Sequence, residues 1–204
     1  MKDNDKTLND DPAELKVLLD TSIYLWMQDI AAAINVHALD LLDRMPNVSY
    51  YFAHCVIQET IQGRQRFIGN VSKMFKHSLK DEMSVNFDGV SDARMLYNAK
   101  DGSTKVAILT KISNVDQAQI LLCHNHRNRD LVLVTNDHRM IKNAAAVLDL
   151  HLMDLEYFLQ YIDDATPPGP LKTEWAKIRD YYKKNGGHTR PKTVRQINDR
   201  KAGV

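Results

Sequence analysis

Cysteine is nearly missing from this 204-residue chain: only Cys55 and Cys123 occur, with no Cys-x-x-C pair. That excludes a disulfide framework, and a reducing, cytoplasmic setting is the expectation. No run nears the ~20 uninterrupted apolar residues that cross a bilayer, so no membrane partner is expected. Met1 to Pro12 is acidic and polar and lacks the apolar segment of a secretory signal. The patterns G-x-x-x-x-G-K-[ST], G-x-G-x-x-G and G-x-S-x-G are absent, which disfavours nucleoside-triphosphate, dinucleotide and α/β-hydrolase chemistry. Zinc is disfavoured as well, because His124-Asn-His126 has no Cys or carboxylate at ligand spacing.

Charge is present but unevenly placed. The whole chain carries +1, yet from Leu171 onward ten basic residues face three acids, which leaves the first 170 residues at −6. An acidic body with a basic arm suggests a polyanionic partner. Trp175, Tyr181 and Tyr182 lie among the Lys and Arg residues, including Lys183 and Lys184, so bases would stack while cations neutralise phosphates. The spacing of Trp175, Ile178 and Tyr182 also allows a short helix docked on the domain, with only Arg190 onward free.

Apolar periodicity divides the chain. Residues 1–14 read as a disordered N-terminus, 15–165 as one domain, and 166–204 as a Pro-rich linker (Pro167-Pro-Gly-Pro170) with a basic tail. Strands are expected at Lys16–Asp20, Val48–Ala53, Asp130–Thr135 and near His151. Helices are expected over Ile34–Met45, after Ala53, from Asn114, after Asp137 and over Leu155–Ile162. Arg64 to Ser113 reads as two or three helices. Ser113 and Asp116 form a capping-box pattern. Strands alternating with helices predict an α/β fold: three layers, α/β/α, around a mostly parallel sheet of four to five strands.

In such a sheet, ligands bind beyond the carboxyl ends of the strands. Asp20 ends the first strand, Asp137 follows the DLVLVT run, Asp116 opens the helix before that run, and Glu59 lies in the helix after the second strand. Singly, each has an ordinary reading. Asp20 and Asp137 serve as helix caps or turn residues, Asp116 completes a capping box, and Glu59 is a solvated helical acid. Together they form a carboxylate cluster that a hard cation, Mg²⁺ or Mn²⁺, would relieve of its mutual repulsion. Ser22 and Thr135 supply hydroxyls nearby, and Asn136 a neutral donor. Asn at Asp20 or Asp116 is then expected to abolish activity and, by relieving repulsion, to stabilise the fold without metal.

The segments LLDTS, QE in the second helix, NVDQAQI and LVLVTND resemble the PIN domain, a family of metal-dependent nucleases. VTNDHRMIKNAA followed by DLHLMDLEYFL is similar to the PIN-like module attached to PhoH-type ATPases. The resemblance spans about residues 15–162. It implies Asp20, Glu59, Asp116 and Asp137 as the metal-binding and catalytic acids. It also implies phosphodiester hydrolysis, as an endoribonuclease acting on single-stranded or structured RNA in preference to DNA. A homodimer and a protein inhibitor or antitoxin are partners the family admits. Many members carry a further acid two residues after the position of Asp137, and here that residue is Arg139. The departure bears on a second metal site, and it keeps open a catalytically weak or inactive module that binds nucleic acid. Arg64 and Arg66, with Lys73, Lys76 and Lys80, are expected to form a basic rim that holds the substrate backbone, joined by Arg139.

Overall fold

The computed structural model describes residues 14–62, 77–79, 112–126, 131–148 and 151–185. Among these residues are five strands, β1 (Leu15–Leu19), β2 (Val48–Ala53), β3 (Ser78–Leu79), β4 (Leu131–Thr135) and β5 (Leu152–Asp154). They lie in the order β3-β2-β1-β4-β5, and every neighbouring pair is parallel. The protein is therefore α/β, and its all-parallel sheet with several helices is compatible with the expected three layers. All five residues of β4 are buried, as a strand covered on both faces must be, which is why it reads as an unbroken apolar run.

Parallel neighbours need long crossovers, and helices fill them. Between β1 and β2 lie α1 (Thr21–Ile34) and α2 (Ala38–Leu42); α3 (His54–Gln62) follows β2. Then come α4 (Asn114–Asn125), α5 (His138–Leu148) between β4 and β5, α6 (Leu155–Ala165) and α7 (Pro170–Asn185). Among the described residues no helix is long and apolar enough to cross a membrane.

The helix expected over Ile34–Met45 is corrected. Its first residue ends α1, and Asn35, with φ of 56°, closes that helix in the left-handed conformation, its N–H donating to the Ala31 carbonyl (3.1 Å). Asparagine tolerates this backbone, so one residue breaks a helix although apolar spacing runs on through it. The stretch 64–113 lies mostly outside the described residues, Arg64 and Arg66 included. The piece at its centre, Ser78–Leu79, is the edge strand β3 where helices were expected.

α7 decides between the two readings of the basic segment as far as Asn185. Trp175, Ile178 and Tyr182 are buried in the same core as the sheet, and the helix packs on α2 and α6. Tyr182 meets Trp26 of α1 edge-on, with ring centroids 5.7 Å apart. Lys172 Nζ donates to the Asp163 and Thr166 carbonyls (3.0 and 3.4 Å), satisfying the open end of α6. Arg179 pairs with Asp163. The Pro-rich run at 167–170 is thus a turn between packed helices, and Gly169 holds a φ of 148° that an L side chain would strain.

Candidate functional site

From β1 the chain winds outward to β2 and β3, then returns to lay β4 on the other flank of β1. The strand order reverses between β1 and β4, the point beyond whose carboxyl ends open parallel sheets generally bind ligands. Asp20 is the first residue past β1, its N–H bonded to the Val134 carbonyl (3.1 Å) of β4. Thr135 closes β4, and Asn136 and Asp137 follow it. Asp20, Thr135, Asn136 and Asp137 therefore lie together where an open parallel sheet offers a site.

Two hydroxyls stitch this point together. Thr135, fully buried, donates to Asp20 Oδ2 (2.8 Å) and accepts from the Asp137 N–H (3.1 Å). Ser22 donates to the same Oδ2 (2.6 Å) and accepts from the Asn136 N–H (3.2 Å). Asp20 Oδ1 accepts from the Thr21 N–H (2.7 Å) and from Gln119 Nε2 (3.0 Å). Asp20 is 4% exposed, so its charge is carried almost wholly by these protein donors.

The remaining acids gather around it. Asp116 completes the expected capping box: Ser113 Oγ accepts from the Asp116 N–H and Asp116 Oδ2 from the Ser113 N–H, both at 3.1 Å. Burial pushes the Asp116 carboxyl up to about 6; the charges of Asp20 and Asp137 push the same way, and the Ser113 bonds pull it back. Asp137 is exposed and caps α5, Oδ1 accepting from the N–H groups of Arg139 (2.6 Å) and Met140 (3.1 Å). Glu59 is exposed on α3, and its Oε2 accepts from Thr21 Oγ1 (2.7 Å), so Thr21 links Glu59 to Asp20.

Asp20, Asp116 and Asp137 thus each serve as a helix cap while converging on one end of the sheet. Among the described residues, no three His, Cys, Asp or Glu side chains already stand at shared-ligand spacing. Thr135 bridges Asp20 to the Asp137 N–H, and Thr21 bridges Asp20 to Glu59. Arg139 is exposed beside Asp137, while Lys183 and Lys184 are exposed on the last turn of α7, a helix packed chiefly on α2 and α6. Thr21 and Gln119 join the site without having been singled out. Both lay in the quoted segments, Thr21 in LLDTS and Gln119 three residues after Asp116, on the same helix face.

No known protein family, no curated protein and no solved structure matches the chain. The site must speak through its chemistry. Its donors are all oxygen, from four carboxylates, hydroxyls and one buried amide, which suits a hard divalent cation.

Asp116 yields a test that needs no substrate. A carboxyl raised from 3.8 to about 6 on folding binds its proton more tightly in the native state. Its contribution to stability is complete below pH 3.8 and is lost as pH rises through about 6. With chelator present, Asp116→Asn should therefore be more stable than wild type at pH 7, by about 1–3 kcal/mol. The gap should close by pH 4. Melting temperatures of both proteins from pH 4 to 8 would check this; a gap independent of pH would show that Asp116 is not held up by its surroundings.

Proposed function

We propose that this chain is a metal-dependent nuclease with a three-layer PIN-like fold, cutting RNA endonucleolytically through Mg²⁺ or Mn²⁺ held by Asp20, Glu59, Asp116 and Asp137. The observation that carries the reading is the gathering of three aspartates at the reversal between β1 and β4, with Asp116 pushed up to about 6 by burial and by its two neighbours. A structural cap gains nothing from two like charges beside it, whereas a cation site needs them. When bound, the metal would activate water and neutralise the charge that develops on the phosphodiester.

The chain's own residues do the rest. Ser22 and Thr135 orient Asp20 and join the ends of β1 and β4, so the centre is built on rigid strands rather than on a loop. Asn136 and the exposed Arg139 flank Asp137 and contact the substrate backbone, the guanidinium holding a phosphate. Arg64, Arg66, Lys183 and Lys184 are proposed to extend that grip. A second reading, a catalytically weak module that binds nucleic acid, is favoured by one fact: helix capping already accounts for Asp20, Asp116 and Asp137.

One experiment separates the two. Mn²⁺ at a hundred times its dissociation constant should stabilise the nuclease by about 2.7 kcal/mol, raising the melting temperature by roughly 5–10 °C. Single-stranded and structured RNA should then be cut, with DNA as the comparison. A thermal shift without cleavage supports the binding module; the absence of both shift and cleavage rules out a metal nuclease.

A further inference from the structure

The Asp20 carboxylate is fully subscribed: Thr21 N–H and Gln119 Nε2 on Oδ1, and on Oδ2 the Ser22 and Thr135 hydroxyls with the Ser22 N–H at 3.4 Å. A carboxylate offers about four lone-pair sites, so a cation reaches Asp20 only where a donor gives way. These donors are not equally free to do so. The Thr21 and Ser22 N–H groups belong to the first turn of α1, which Asp20 caps. The two hydroxyl oxygens are each pinned from behind, by the Asn136 and Asp137 N–H groups.

Gln119 differs. It is fully buried, Nε2 makes its bond to Asp20, and Oε1 is buried with no partner among the described residues. An interior carbonyl oxygen without a donor is destabilising and asks for an explanation. A carboxamide turned half way about its last bond exchanges nitrogen for oxygen at nearly constant shape. The exchange puts an acceptor where a donor stood and needs no extra room.

We infer that Gln119 is a metal-responsive ligand: Nε2 holds Asp20 Oδ1, and when a divalent cation takes that oxygen the amide turns over and offers Oε1 to the cation. The inference rests on the reading of the acidic centre as a Mg²⁺ or Mn²⁺ site. Side-chain amide oxygens are ordinary ligands of hard cations. This one is neutral, so it adds a donor atom without a further negative charge among three repelling aspartates. Gln119 sits one turn beyond Asp116 on α4, so one helix face delivers two oxygen ligands.

A plain brace would make the same bond to Asp20, and the two roles differ in sign. Wild type, Gln119→Met and Gln119→Glu would be titrated with Mn²⁺ at pH 7.5, without nucleic acid, by calorimetry and thermal shift. Gln119→Met, which keeps length and loses the amide, should bind Mn²⁺ about tenfold more weakly. Gln119→Glu should bind it more tightly, while melting lower than wild type in chelator because it faces Asp20. A brace merely competes with the cation, so Gln119→Met binding Mn²⁺ as tightly as wild type, or more tightly, overturns the inference. Should the Met variant not fold, a loss of Mn²⁺ affinity in Gln119→Glu overturns it equally. In wild type, the Gln119 side-chain amide resonances should move on Mg²⁺ saturation, and static resonances would contradict the turnover. No Mn²⁺-dependent stabilisation of wild type at all would sink the metal reading itself, whereas wild-type binding with an unaffected Met variant sinks only the role of Gln119.

Discussion

Asp20→Asn is expected to lower RNA cleavage about a thousandfold and, measured with chelator, to destabilise the fold by about 1–3 kcal/mol. The first effect rests on the proposed reading of Asp20 as a metal ligand, and that fold-change corresponds to roughly 4 kcal/mol of transition-state stabilisation. The second reverses the expectation drawn from charge alone, that losing any of the acids relieves repulsion. Asp20 accepts from donors on both of its oxygens, inside a residue that is 4% exposed. An asparagine there answers one pair with its oxygen and meets the other with its own N–H groups. If the amide nitrogen faces Ser22 and Thr135, two buried hydroxyl protons lose their acceptor; if it faces Thr21 and Gln119, the Thr21 N–H loses its acceptor even where the Gln119 amide turns to accept. The relief of Asp116 is smaller, because burial, not Asp20, is the largest cause of its shift. Asp20→Asn and Asp116→Asn should therefore move the melting temperature in opposite directions at pH 7. Scanning calorimetry of both variants would settle it, and a stabilised Asp20→Asn would mean that the hydrogen bonds around Asp20 are worth less than the repulsion.

That opposition shows where sequence reading reaches and where it stops. β4 was legible because burial on both faces demands a continuous apolar run, LVLVT, and β2 because VSYYFA is rich in β-branched and aromatic residues. The Ser113–Asp116 box was legible because its bonds span three residues. The positions of Asp20 and Asp137 followed from the rule that places sites beyond strand ends. What pairs with Asp20 did not follow. Gln119 is 99 residues away, and its contact exists because the crossovers bring α4 to the reversal between β1 and β4. Nor was Thr21 legible as the link to Glu59, since a hydroxyl in a cap position has several local uses. Asn35 misled for a related reason: one left-handed residue overrides an apolar periodicity that the eye follows across it.

Trp175→Ala is expected to have the larger effect on stability, a loss of about 3–5 kcal/mol. The sequence allowed Leu171 onward to be a free arm, and a free arm tolerates the loss of one aromatic. In the structure Trp175 is 2% exposed and shares its core with Ile178 at 0%, on a helix set against α2 and α6. Removing an indole there leaves a cavity that packed helices and strands cannot fully close. Trp175→Phe should cost much less, because it keeps most of the apolar volume and discards an indole N–H that has no acceptor among the described residues. Lys183→Ala and Lys184→Ala, at exposed positions, should lie within about 0.5 kcal/mol of wild type. The order is thus Ala at 175 far below Phe at 175, with the lysine variants near wild type, read as midpoints in a urea titration. The same four proteins separate stability from substrate grip. Where folded, the Trp175 variants should keep the proposed Mn²⁺-dependent rise in melting temperature, because the helix that carries the indole packs on α2 and α6. The lysine variants should weaken RNA binding at low salt without moving the urea midpoint. A Trp175→Ala midpoint equal to wild type would return the helix to the status of an independent arm and end the domain near residue 165.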